Sequence, residues 1–156
     1  MRKFIRIASL FLFGFALFVQ AQADVITWKA SGMNGAVAAG KMNSVAAGIQ
    51  ILEEGGNAAD AAVATLLALA VTDYGLFTFG GEVPLLIYDA KKREVKVLCG
   101  LGSAPLDPDA IDWFYANGIP SKGSMKSAPV PGAVDLCVTA LRLYGTISFE
   151  QAVRPT

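Results

Sequence analysis

Ser44–Val71, SVAAGIQILEEGGNAADAAVATLLALAV, decides the fold of this chain of 156 residues, because two apolar helical patterns meet within it at Gly55-Gly56-Asn57. Val45, Ile49 and Leu52 fall at i, i+4 and i+7, which predicts a helix with one apolar face. The glycine pair after Glu53-Glu54 supplies the left-handed backbone that ends helices. A second helix can start at once. Asn57 is a favoured N-cap residue, and Asp60 sits three positions on, where a carboxylate meets free N–H groups and the positive end of the helix dipole. From Ala58 to Val71 the pattern is apolar almost all round, so it predicts a buried helix. It is well short of the roughly 20 residues needed to cross a bilayer.

Toward the N-terminus, Arg2, Lys3 and Arg6 precede the apolar run Ile7–Val19, which ends at Ala21-Gln22-Ala23. This is the layout of a secretory signal peptide, residues 1–23, cut before Asp24. The short apolar run and the small-residue site disfavour an uncleaved membrane anchor. The expected mature chain, 24–156, is one domain or part of one. Three basic residues leave with the signal, so acidic residues then outnumber basic ones. No basic stripe interleaved with aromatics appears, which argues against a nucleic-acid partner.

The chain has no histidine and two cysteines, Cys99 and Cys137. Histidine-based zinc sites and Ser-His-Asp or Cys-His machinery are therefore excluded within this chain. An exported protein could form a Cys99–Cys137 disulfide, but both residues also suit buried positions as small hydrophobes, and spacing does not decide between the two.

Toward the C-terminus, Asp73–Gly81 carries glycines and aromatics and reads as irregular, with Gly80-Gly81 expected to pack closely on the alanine-rich helix. Leu85–Tyr88 predicts a strand buried on both faces, and Val95, Val97 and Cys99 alternate with Glu94, Lys96 and Leu98. The two runs make a hairpin through Asp89–Arg93, with Lys91-Lys92-Arg93 as its solvated tip. Asp107-Pro108 starts a short helix that carries Ile111, Trp113, Phe114 and Tyr115 as core and surface aromatics and stops at Asn117-Gly118. Ser121–Pro131 is a loop. Pro131 opens another helix, with Val134, Val138 and Leu141 at i, i+4 and i+7 and Gly145 as its stop. Ser148 and Gln151 have capping-box spacing and announce a last helix just before the chain ends at Thr156. Asp73 and Glu82 could serve as paired carboxylates, but loop charges are usually solvated.

With these residues in view, the chain resembles the N-terminal part of the gamma-glutamyltransferase family of N-terminal-nucleophile hydrolases, over Gly32 to about Val153. The most specific piece is Ile51–Ala64, ILEEGGNAADAAVA. Gly80-Gly81 ahead of Leu86–Ala90, then Ser103-Ala104-Pro105 and Val130-Pro131-Gly132, follow in the family's order and spacing. The resemblance implies an α/β chain forming the start of a layered alpha-beta-beta-alpha fold. It also implies an exported precursor that cuts itself in two, exposing a threonine whose own amine serves as base; an alpha-amine titrates near neutrality and can take the hydroxyl proton. Such an enzyme needs no metal or organic cofactor. Its partners would be a gamma-glutamyl or other acyl-amide substrate and the small-subunit sequence that the chain does not contain.

The nucleophile and its base fall outside the residues that match, so the chain alone is expected to be inactive. The family's Asp-Gly-Arg-Glu-Thr-Ala-Pro run, whose arginine grips the substrate alpha-carboxylate, is replaced by Cys99-Gly100-Leu101-Gly102-Ser103-Ala104-Pro105. Leu101 stands at the arginine position and Gly102 at the adjacent acidic one. Loss of that charge-assisted pair weakens the hold on a gamma-glutamyl group. Leu101, Gly102 and Ser103 are the candidate substrate-binding residues, with a tight turn leaving the strand as the plainer reading for the last two. The expected function is acyl or gamma-glutamyl transfer or hydrolysis by the whole protein. A divergent acylase with a non-glutamyl substrate and a secreted non-catalytic remnant are the alternatives.

Overall fold

The computed structural model describes residues 29–121 and 123–156. The signal-peptide expectation falls on residues 1–23, outside the described residues. The chain divides into two compact units, Met1–Met33 and Asn34–Thr156. Of the first only the irregular stretch 29–33 is described. The second holds α1 (Met42–Glu53), α2 (Ala58–Thr72), β1 (Val83–Asp89), β2 (Glu94–Gly100), α3 (Pro108–Asn117), a 3-10 turn (Met125–Ser127), α4 (Ala133–Tyr144) and α5 (Phe149–Val153). No helix among the described residues is long and apolar enough to cross a membrane.

The α1–α2 hairpin forms as its residues dictate. Gly55 takes a φ of 94°, the left-handed conformation that turns the chain out of α1. The buried face of α1 is nevertheless Ser44, Ala47, Gly48 and Ile51, one step round from the stripe expected at Val45, Ile49 and Leu52, which are only half-buried. The reason is close helix packing: a Cβ on Gly48 would overlap the Thr65 side chain and come within 3.0 Å of Val37. Small residues face the partner helix, and the larger apolar ones flank the contact. At the far end of the pair Ser44 Oγ and Thr72 Oγ1 lie 2.9 Å apart in a hydrogen bond, and Lys41 pairs with Asp73 at 3.4 Å.

β1 and β2 form a two-stranded antiparallel sheet with Leu86 opposite Val97 and Tyr88 opposite Val95. Its turn is held by Asp89 Oδ1, which accepts from the backbone N–H groups of Lys91 and Lys92. One face of the hairpin packs on α2 and α4: Leu85 and Leu98 lie against Val63, Leu67, Cys137, Ala140 and Leu141, and Val83 meets Ala133 and Leu136. Each fully buried Val or Leu of this layer contributes about 1.5–3 kcal/mol. The other face is open, which corrects the expectation of a strand buried on both sides. Leu86 is 67% exposed, Tyr88 63% and Val97 66%, because no described element lies over them.

The same offset appears in α4. Ala133, Leu136, Cys137, Ala140 and Leu141 are buried, whereas Val134 and Val138 are exposed, and the helix starts at Ala133 with Gly132 as N-cap. Pro131 lies just before it. Gly80 and Gly81 do not pack on the alanine-rich helix. They close a turn in which Gly81 N donates to Thr78 O and Gly81 lies over the Phe77 ring.

α3 forms where Asp107 and Pro108 announce it, but it buries no residue, so Trp113, Phe114 and Tyr115 are not core aromatics. α5 carries the expected Ser148–Gln151 capping box. The arrangement, helices on one face of a sheet, is a partial α/β layer structure.

Candidate functional site

The Gly-Gly-Asn junction is a built cluster. Asn57 Oδ1 accepts from Ala59 N and Asp60 N, and Asp60 Oδ2 accepts from Asn57 N at 2.8 Å, completing the reciprocal cap on α2. Asp60 is fully buried and reaches further than a cap. It also accepts from Thr146 N at 2.9 Å and from the Thr146 hydroxyl at 2.6 Å. Asn57 Nδ2 donates to Tyr144 O at 2.7 Å. One Asn-x-x-Asp unit thereby starts α2 and ties down the loop between α4 and α5. Its carboxylate is saturated by donors, which suits a scaffold and leaves no lone pair directed at a substrate. Thr146 carries no sequence signal, because its partner lies 86 positions away.

A second tie closes the junction from outside. Arg154 Nη2 donates to Glu54 Oε2 at 2.7 Å, and Gln50 Nε2 donates to Glu54 Oε1 at 2.8 Å. The Gln50 amide, first of all, holds the Glu54 carboxyl below its ordinary value of 4.5; burial opposes it, and the Arg154 charge and hydrogen bond add to the lowering.

Leu101, Gly102 and Ser103 leave the end of β2 as irregular chain. Leu101 is 46% exposed, Gly102 half-buried and Ser103 exposed. They meet Val130-Pro131-Gly132 backbone to backbone: a Cβ on Gly102 would overlap the Val130 carbonyl, and one on Gly132 would overlap the Gly100 carbonyl. The two segments that the resemblance singled out separately thus form one neck just before α4. The groups that meet there are uncharged.

Among the described residues, the other candidates do not assemble chemistry. Asp73 is paired with Lys41, and Glu82 is exposed. Both cysteines are free. Cys99 lies on the open face of the hairpin and Cys137 is buried in α4 beneath the other face, so the sheet separates them. Burial pushes the Cys137 thiol up to about 11. No described group of His, Cys, Asp or Glu could hold a metal, and no buried side-chain polar atom lacks a partner. Three clefts stand out: one of about 810 Å³ opens between the Gly75–Glu82 segment and Ser127–Pro129, beside the neck, and two lie away from it. One of about 640 Å³ runs between the 34–39 segment and the α1–α2 pair, walled by Val37, Leu52, Leu66 and Leu69. Another of about 390 Å³ lies between the start of α2 and the hairpin tip, with Asp89 and Lys91 on its rim.

A family model described as gamma-glutamyltranspeptidase matches residues 44–156. The glutathione hydrolase-like YwrD proenzyme of Bacillus subtilis (strain 168) is 34% identical over 109 residues, 70% of this chain and 21% of that protein. The glutathione hydrolase proenzyme of Escherichia coli (strain K12) is 35% identical over 125 residues, 78% of this chain and 21% of that protein. The gamma-glutamyltranspeptidase of Helicobacter pylori superposes with a TM-score of 0.67 at 30% identity, over 81% of this chain and 37% of that one. The Pseudomonas nitroreducens gamma-glutamyltranspeptidase complexed with L-DON gives 0.65 at 28% identity, over 80% of this chain and 38% of that one. The chain spans about a fifth of the length of these curated relatives. Ordered motifs, helix–sheet layering and matched length together make this chain a member of the gamma-glutamyltranspeptidase family of N-terminal-nucleophile hydrolases, corresponding to its N-terminal portion.

Proposed function

We propose that the chain supplies the helical layer and first hairpin of an exported gamma-glutamyltransferase-like enzyme, whose threonine nucleophile is freed by self-cleavage in sequence outside this chain. The observation that carries the reading is the open apolar hairpin face. Leu86, Tyr88, Val95, Val97 and Cys99 form a contiguous exposed patch on a two-stranded sheet. A patch of this kind marks an interaction surface, and a second sheet laid on it completes an alpha-beta-beta-alpha sandwich. The relatives named as proenzymes support activation by cleavage. The signal-peptide layout supports export to the periplasm or beyond.

In the completed enzyme the threonine hydroxyl attacks the acyl-amide carbonyl. The threonine's own amine takes the hydroxyl proton and passes it to the leaving amine, and water or an acceptor amine then releases the acyl group. The relatives named as glutathione hydrolases make the gamma-glutamyl group, and with it glutathione metabolism, the default assignment. No residue described here performs a catalytic step. The test is to read the gene beyond Thr156 and to assay gamma-glutamyl anilide turnover by this chain and by the continued product. We expect an in-frame continuation to a threonine processing site, turnover by the cleaved product and none by this chain. A stop codon after Thr156, or turnover by this chain alone, defeats the proposal. A stop codon combined with one sharp, cooperative unfolding transition would instead favour a secreted non-catalytic protein.

A second reading, a non-glutamyl acyl donor, is favoured by Leu101. It stands where the resemblance places a carboxylate-gripping arginine, and its neighbours at the neck, Gly100, Val130 and Gly132, offer no charge in its place. Under this reading Leu101, Gly102 and Ser103 line a pocket for an acyl group that lacks an alpha-carboxylate.

A further inference from the structure

None of the described residues from Leu101 to Pro131 is buried. Every side-chain hydrogen bond made in that stretch among the described residues has both partners inside it: Asp109 N to Asp107, Asn117 to Trp113 O, and the Ser121–Ser127 set. α3 shares no substantial packing with any other helix or strand. Only its end, Ser127–Pro129, faces another segment, Gly75–Glu82, across an open cleft of about 810 Å³; the side-chain contacts that order the rest are its own. Lys126 Nζ sits 3.5 Å from the centre of the Trp113 ring, and Trp113 meets Phe114 edge to face at 5.3 Å. Its two ends behave differently. At Gly102 and Gly132 the backbones of the outgoing and returning chain are in contact so close that neither position has room for a Cβ.

From this we infer that the described residues 103–121 and 123–129 are a strap that opens as a unit of its own, hinged at the glycine neck of Gly100–Gly102 against Val130–Gly132, while α2, α4 and the hairpin stay folded. The neck holds the ends together, so opening the strap does not pull on the core, and reclosing it is a local event that repeats little loop-closure entropy. A unit with few buried apolar contacts and solvent-exposed hydrogen bonds is the kind that opens well below the global unfolding free energy. Leu101 and Gly102 lie in one side of the hinge, and Ser103 is the first residue of the strap. The inference does not depend on the proposed chemistry.

Hydrogen–deuterium exchange of the full chain, read by mass spectrometry, tests it. Amides of α3 and the 3-10 turn are expected to exchange at least ~100-fold faster than those of α2 and α4. Equal exchange in strap and core, at whatever level, overturns the inference. Trp113→Ala removes the ring under Lys126. It should speed exchange of residues 107–121 and 123–128 by about 5- to 70-fold, the factor that this cation–π contact and the edge-to-face contact with Phe114 supply together, and leave α2 and α4 unchanged. Acceleration of α2 and α4 by the same factor would mean that strap and core open together, and would also overturn it.

Discussion

Replacing Asp60 by alanine should cost as much as removing a large apolar side chain from the α2–α4 layer. The carboxylate is fully buried and accepts from Asn57 N, Thr146 N and the Thr146 hydroxyl at 2.8, 2.9 and 2.6 Å. Asp60→Ala leaves those three donors without a partner. An unsatisfied buried donor costs about 1–3 kcal/mol, and the junction is near enough to the surface for water to recover part of that, so the expected loss is about 3–5 kcal/mol. Asp60→Asn keeps the shape and one acceptor oxygen but turns an amide NH₂ toward a backbone N–H. The Thr146 hydroxyl can rotate to accept from it and Asn57 N cannot, which puts the expected loss near 2 kcal/mol. With a urea slope of about 1.5 kcal/mol/M, the midpoint followed by far-ultraviolet circular dichroism falls by roughly 2–3 M for alanine and about 1 M for asparagine. Equal losses for the two variants, or losses below about 1 kcal/mol in both, would refute the reasoning that donor satisfaction, and not packing volume, is what Asp60 contributes.

Three further outcomes follow from the same structure. Gly48→Ala should destabilise by about 1–3 kcal/mol through overpacking against Thr65 and Val37, whereas Gly55→Ala, with open space around it and only its φ of 94° to strain, should cost about 1 kcal/mol; urea midpoints of the pair check the order. In the native chain a thiol reagent should modify Cys99 and spare Cys137 until denaturant is added. The raised Cys137 value also means that its contribution to stability is intact below the unfolded thiol value of 9.0 and is lost as pH rises toward about 11, which thermal melts across that window will show. Leu86→Lys with Val97→Lys should change the stability of this chain by no more than about 0.5 kcal/mol, because both side chains are exposed, yet abolish turnover by the completed enzyme if that face receives a second sheet.

The parts of this fold that were legible in the sequence are those governed by neighbours along the chain. Asn57 with Asp60, Ser148 with Gln151, Asp107-Pro108 and the Asp89–Arg93 turn each satisfy backbone groups within a few residues, and each forms as read. The buried face differs from the expected stripe in α1, and in α4 at Val134 and Val138 though not at Leu141, for a physical reason. The buried stripe is set by how closely a partner backbone approaches, and Ser44, Ala47 and Gly48 or Ala133, Cys137 and Ala140 allow an approach that Val45 or Val134 would block. The open hairpin face could not be read either, since alternation tells which residues share a face and not whether anything covers it. The candidate site was legible only as two separate segments. That Leu101–Ser103 and Val130–Gly132 form one neck depends on glycine contacts between distant stretches, which no local pattern encodes.

The tie between Asp60 and Thr146 bears on how the chain is made. α1 and α2 can pair as soon as both have emerged from the ribosome, but the Thr146 donors to the Asp60 carboxylate lie 86 positions further on. At about 5–20 residues per second, roughly 4–17 s pass before they exist. Throughout that interval the lone pairs that Thr146 will fill must be met by water, so the helix pair waits with its capped end unsealed. The arrival of Tyr144–Thr146 is what seals that end.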